Sequence, residues 1–182
     1  MGENGGVPIV IIGIFIGAVL MFVFPLMTMS DRTDDVSQLA VEKATTDYVD
    51  DVRTSGKLSM DKYSKYVETI SSTGNSYDVE MEINVLDENP GKKASQAQAK
   101  KIGENVYYTM YTSQIMDQIN PESGKTQTLA LKEGDMFSVS VKNTNTTLSQ
   151  QLKNFFYSVT GNDTYTIAAE HGGIVTANGT GN

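Results

Sequence analysis

The hydrophobic residues of this chain follow three distinct rhythms. From Val7 to Met29 the sequence VPIVIIGIFIGAVLMFVFPLMTM runs for 23 residues without an Asp, Glu, Lys or Arg. An uncharged apolar run of this length reads as a membrane span: as a helix it covers about 34 Å, against a hydrocarbon core of about 30 Å. Residues 1–29 are therefore expected to form a transmembrane helix surrounded by membrane lipid. A cleaved signal peptide is the competing reading. It calls for a basic leader, a shorter apolar stretch and a small-x-small cleavage pattern, whereas residues 1–6 carry Glu3 and no Lys or Arg, and no such pattern precedes Asp31. Retention of the segment is the expectation. Gly2 hints at N-myristoylation, but Gly6 stands where that motif wants Ser or Thr.

After Met29 the period becomes helical and one-sided. Val36, Leu39, Ala40, Ala44, Tyr48, Val49 and Val52 recur at steps of three and four, with acids and Thr between them, which predicts an amphipathic helix. Ser30 or Asp31 could cap a separate helix start. Nothing between Met29 and Val36 forbids a single rod, so residues 30–56 are read as a helical stalk ending at Gly56. A second helix is expected in LSMDKYSKYVETISSTG, with Ser59 as its cap, Leu58 stapling the first turn, Tyr63, Tyr66, Val67 and Ile70 as its stripe, and Gly74 closing it.

From Ser76 to Leu86 the period falls to two. Tyr77, Val79, Met81, Ile83 and Val85 alternate with Asp78, Glu80, Glu82 and Asn84, the signature of a strand in a sheet covered on one face. Asp87 to Lys101 reads as a polar loop opening on the turn Asn89-Pro90-Gly91. Ile102 to Asn120 reads as a strand followed by a helix with no visible boundary, and Pro121 to Gly124 as a turn. Thr126 to Leu131 and Met136 to Val141 read as strands joined by a hairpin-like link at Glu133-Gly134-Asp135. A helix from Leu148 to Val159 follows caps at Asn143 to Thr147. Strands at Thr164 to Ala168 and Ile174 to Ala177 flank Gly172-Gly173. The predicted fold class is α+β: a long N-terminal transmembrane and amphipathic helix, then a small β-sheet head with packed helices over residues 57–177, and a loose tail over 178–182.

Composition narrows the function classes. The chain has 22 acids against 14 bases, a net charge of −8, no Cys, no Trp and one His. Phosphate binding draws on clustered cations, so nucleic acid is not an expected partner. Disulfides, thiolate metal sites and cysteine nucleophiles are excluded, and a lone imidazole forbids sites built on paired histidines. Asp47, Asp50 and Asp51 share one helical face, and Asp31, Asp34 and Asp35 cluster near the lipid surface. Neither shows calcium-loop spacing, so both read as solvated acidic faces and no metal or other cofactor is expected. His171 precedes two glycines and reads as a turn residue, since no nucleophile elbow accompanies it. No enzyme activity is expected. Sequons at Asn145, Asn162 and Asn178 mark polar surface loops.

Within the span, Gly13 and Gly17 form a GxxxG pair that lets two helix backbones approach closely, and Pro25 removes a backbone donor, so a kink or local unwinding is expected there. Only Arg32 and Lys43 lie near the span, both on its C-terminal side, a count that by itself points to a cytoplasmic C-terminal part. The nearly empty N-terminal flank, the apolar helix interrupted by Gly and Pro, its amphipathic continuation and the small β-rich part resemble type IV pilin-class subunits. Within that class the chain is most similar to TadE-like pseudopilins of tight-adherence (Tad, or Flp) pilus systems. The resemblance covers mainly Val7 to Gly56. It implies an extracytoplasmic head, against the charge count, and assembly with copies of itself or related pilin-like subunits. Pilins of this class carry a Glu just inside the mature apolar segment. Here Glu3 precedes that segment, and in a trimmed form it would be the registry acid, pairing with a neighbouring amino terminus.

Overall fold

A computed structural model describes residues 6–87, 107–120, 122, 127–146, 151 and 167–179. The expected loop at 88–101, most of the turn at 121–124, all of the helix at 148–159 but residue 151, the start of the strand at 164–168, the sequon Asn162 and Glu3 lie outside them. The fold is α+β. Two compact units divide the chain, residues 1–37 with 146–165 and residues 38–145 with 166–182.

Helix α1 runs as one element from Gly6 to Ser55, 50 residues with Pro25 inside it, about 75 Å at helical rise. No separate helix starts at Ser30 or Asp31. The local unwinding expected at Pro25 does not occur, because helix continues on both sides of it. Just beyond, Thr28 and Thr33 donate their hydroxyls to the carbonyls of Phe24 and Met29, each at 3.1 Å. Such back-bonding satisfies Thr within the helix instead of against a partner.

In the unit that begins at Gln38, the C-terminal part of α1 is the spine of the core. Val41, Thr45, Tyr48, Val49 and Val52 are buried, while Val36 and Leu39 are 67% and 66% exposed. Tyr48, Val49 and Val52 are buried as the stripe expected, whereas its N-terminal members Val36, Leu39 and Ala40 are exposed. In their place the buried ridge includes Val41 and Thr45, a polar residue whose hydroxyl donates to the Val41 carbonyl at 2.7 Å and lies 2.9 Å from the Tyr66 hydroxyl, so a pattern built from apolar residues alone missed it.

After Gly56 a strand absent from the sequence reading, β1 (Lys57–Ser59), precedes α2 (Met60–Ser71). Ser59 caps α2 as expected, accepting from the Lys62 amide at 3.4 Å. Strand β2 (Tyr77–Leu86) lies between β3 (Tyr107–Tyr111) and β5 (Met136–Asn143), and β6 (Ala168–Ile174) closes a four-stranded antiparallel sheet of order β3-β2-β5-β6. Helix α3 (Thr112–Ile119) follows β3 without a break. The switch falls at Thr112, whose hydroxyl accepts from the Met81 amide and donates to the Met81 carbonyl at 2.7 and 3.2 Å. A side chain thereby replaces the missing ladder partner and frees the backbone to turn helical.

Two further expectations are corrected. Strand β4 (Thr128–Ala130) does not form a hairpin with β5; it pairs with β1 in a separate two-stranded sheet. The Glu133–Asp135 turn carries the chain from one sheet to the other. Asp135 fixes it, accepting from the amides of Leu86 and Lys132 at 2.9 and 2.8 Å. The second correction concerns Gly172 and Gly173, which do not separate two strands but lie within β6, paired with Ser138 and Phe137; β6 ends at Ile174, so the strand expected from Ile174 to Ala177 does not form. A Cβ on Gly172 would sit 2.6 Å from the Ser138 Cβ, and one on Gly173 would sit 2.6 Å from the Arg53 guanidinium carbon. These glycines permit close approach across the strand ladder and beneath α1. His171, mid-strand opposite Val139, is likewise no turn residue.

The first two residues of the expected loose tail are tied down. Asn178 accepts from the Glu133 amide at 2.8 Å, and the Gly179 amide donates to the Leu131 carbonyl at 2.8 Å. Gly56 holds the junction: its φ is +63°, and an added Cβ would lie 2.4 Å from both the Ala177 carbonyl oxygen and the Gly179 nitrogen. Gly56→Ala in the detergent-solubilised chain should therefore cost about 2–4 kcal/mol, the left-handed conformation and the backbone clash adding together. Gly74→Ala, at φ +84° with open space around it, should cost about 1 kcal/mol. Thermal unfolding of the two variants checks the ranking.

Candidate functional site

Three surfaces qualify for description. The first is the N-terminal half of α1. From Val7 to Met29 most of its large apolar side chains are exposed, Ile9, Phe15, Met21 and Phe22 by about two thirds or more, while Val19, Val23 and Met27 are half-buried, and none of the most apolar window is fully buried. Among the described residues α1 is the one helix long and apolar enough to cross a membrane. A helix apolar all round belongs in a lipid or protein environment. Gly13 and Gly17 lie on it with open space where a Cβ would stand.

The second surface is a groove of about 370 Å³ between α1 and α2, lined by Ala44, Asp47, Tyr48, Asp51, Lys62, Lys65, Tyr66 and Thr69. Its floor is the parallel stack of Tyr48 on Tyr66, centroids 4.4 Å apart, with Phe137 edge-on to Tyr48 at 5.9 Å. The Tyr48 hydroxyl donates to the Met81 sulfur at 3.7 Å. Of the acids expected to form solvated faces, Asp47 pairs with Lys43 at 2.7 Å, Asp51 with Lys62 at 2.8 Å and Asp50 with Arg53 at 2.8 Å, and in the other cluster Asp34 is buried, against the expectation, while Asp35 is exposed. The groove is thus an aromatic seam with charge pairs along its rim. Its chemistry is that of helix packing.

The third is the outer face of the four-stranded sheet, where Asp78, Glu80, Glu82, Ser138, Ser140 and Glu170 line a shallow cavity of about 690 Å³ with Tyr111, Thr112 and Ser113 from the end of β3 and the start of α3. Glu80, Ser140 and Glu170 fall in one row across three strands. On the opposite face His171 points at α1, its buried Nε2 3.5 Å from the Asp50 carboxylate that Arg53 also holds. Arg53 Nε donates to the Ile174 carbonyl at 2.9 Å. Arg53, held by Asp50, thereby clasps α1 to β6, and the His171 Nε2 lies beside that pair without a hydrogen-bond partner among the described residues.

The sequence did not reveal this clasp, nor the amide bridge in which the Gln38 side chain donates to the Ala168 carbonyl and accepts from the Ala168 amide, at 2.6 and 3.0 Å. The alternation of Ala169, His171 and Gly173 on the inward face is the signal that could have exposed a strand there. Searches of protein-family models, curated proteins and solved structures return no match for this chain.

Burial pushes the Tyr66 hydroxyl up to about 12, against the pull of its hydrogen bond to Thr45, and burial raises Tyr48 as well. An unfolded tyrosine ionises near 10. Both rings therefore contribute stability that is fully present below about pH 10 and lost as pH climbs toward about 12, because only the unfolded chain releases these protons readily. Thermal midpoints measured across that window should fall, and Tyr66→Phe should flatten the slope.

Proposed function

We propose that this protein is a membrane-anchored structural subunit of the type IV pilin class, resembling TadE-like pseudopilins of Tad (Flp) systems, which assembles through its N-terminal helix into a pilus-like filament or cell-envelope assembly. The observation that carries the reading is the division of labour along α1. One helix is uncharged and apolar on every side from Val7 to Met29, exposed except for the half-buried Val19, Val23 and Met27, and one-sided and buried in a protein core from Val41 to Val52. A tether needs only the first property and a core helix only the second. Their union in one helix suits a subunit whose head is carried by the same element that packs against its neighbours.

In this reading the spans contact copies of the chain or related subunits, Gly13 and Gly17 allow close backbone approach, and the acidic head stands on the extracytoplasmic side at the cell surface. Catalysis plays no part. A second reading, a membrane-tethered extracytoplasmic binding or sensor module, draws on the outer-face cavity of the sheet, which is large enough for a ligand.

Substituting Gly13→Leu and Gly17→Leu together separates the two. As a subunit, the variant chain should fall from oligomer to monomer in mild detergent and form no filaments in negative-stain images. A tethered module would keep its size and its binding. Deleting residues 1–30 gives the complementary test, since a subunit loses all function while a module's head still binds its ligand.

A further inference from the structure

We infer that Asn178-Gly179 is a self-modifying site, a deamidating pair that the fold holds shut and that converts to aspartate or isoaspartate once the segment leaves its seat. Asparagine is chemically labile, and most so before glycine, which has no Cβ to shield its backbone nitrogen or to limit its approach. The sequence has two such pairs, at residues 4–5 and 178–179.

Packing demands the second pair. A Cβ on Gly179 would overlap the Gly56 carbonyl oxygen, so only glycine fits there. At 178 the side-chain oxygen accepts from the Glu133 amide at 2.8 Å. The two residues that fasten this segment to the head therefore compose the labile dipeptide. The same fastenings withhold the reacting atoms. Deamidation needs the Gly179 nitrogen, stripped of its proton, to attack Cγ of Asn178. In the fold that N–H is donated to the Leu131 carbonyl at 2.8 Å, and the Asn178 side chain is fixed by its bond to Glu133. Asn178 is exposed, so water reaches it and geometry is what guards it.

When both bonds open, a base takes the Gly179 proton, the nitrogen bonds to Cγ, and Nδ2 leaves as ammonia, closing a five-membered succinimide. Water then adds to one of the two ring carbonyls and breaks its bond to nitrogen. Opening at Cγ gives aspartate. Opening at the main-chain carbonyl gives isoaspartate, which routes the backbone through an additional methylene. That methylene displaces Gly179 against Gly56, where even a Cβ has no room, so the modified segment cannot return to its seat. The head thereby keeps a covalent record of having opened.

The rate should track the population of the open form. The full chain in mild detergent at neutral pH, the same chain in guanidinium chloride and a free peptide of the sequence Thr176–Gly181 are aged side by side, and mass spectrometry follows the exchange of ammonia for water at residue 178. The folded chain should react at least about tenfold more slowly than the peptide, the factor that two hydrogen bonds supply, and the denatured chain should match the peptide. Glu133→Pro releases the guard selectively. Gly134, at φ +96°, follows Glu133 in a turn closed by the Asp135 amide on the Lys132 carbonyl at 3.1 Å, and proline is favoured at the second position of such a turn. The variant should keep its thermal midpoint, lose the donor to Asn178 and deamidate severalfold faster than the parent. Equal rates in the folded chain and the peptide, no reaction at 178 in the denatured chain, or a Glu133→Pro rate equal to that of the parent would each overturn the inference.

Discussion

One unbroken helix carries two kinds of surface, apolar all round from Val7 to Met29 and one-sided from Val41 to Val52, and the sheet is built on the second. A hydrogen-bonded helix settles its own backbone, which is what an apolar medium demands, and the side chains from Val7 to Met29 add no charge to be solvated. The same backbone geometry then continues into a segment where only one side is apolar. No glycine or proline separates the two regimes after Pro25 until Gly56. A cation-bearing helix end at Arg53 and the left-handed Gly56 stop the rod where the head needs the chain to reverse.

The head is built onto that rod at both ends of one strand. Gln38 bonds the exposed backbone of Ala168 as a neighbouring strand would, and Arg53 bonds the carbonyl of Ile174. Fifteen residues of helix and six of strand span about the same 20 Å. The two elements therefore match in length, and the open edge of β6 is blunted at each end, as exposed sheet edges require. Gly173 lets the helix come close enough for the Arg53 contact, and the Tyr48–Tyr66 stack holds α2 against the same helix. Aromatic stacking of this kind adds about 0.5–1.5 kcal/mol beyond the area it buries.

Much of this was legible in the residues. The apolar run, the Ser59 cap, the alternation from Tyr77 to Val85 and the strand at Met136 are local signals, and local signals survive because each element satisfies its own backbone. Readings went astray where a distant partner decides. Lys57 to Ser59 is strand only because Thr128 to Ala130 lies beside it, and Gly172-Gly173 is strand only because Arg53 and Ser138 need the space. Thr45 is core only because Tyr66 and Val41 satisfy its hydroxyl. Exposure of Leu39 depends on which ridge of α1 the sheet selects, and that choice is made by packing, not by the order of letters.

The most direct test of the central claim is a spin-label scan, one cysteine at a time, from position 7 to position 52 of the full chain in lipid nanodiscs. The account predicts shielding from aqueous reagents at every position through Met29, then a 3.6-residue alternation between buried and exposed positions, with helical order maintained across residues 25 to 38. A mobile, water-accessible break in that interval, or collision with aqueous reagents between Val7 and Met29, would contradict it.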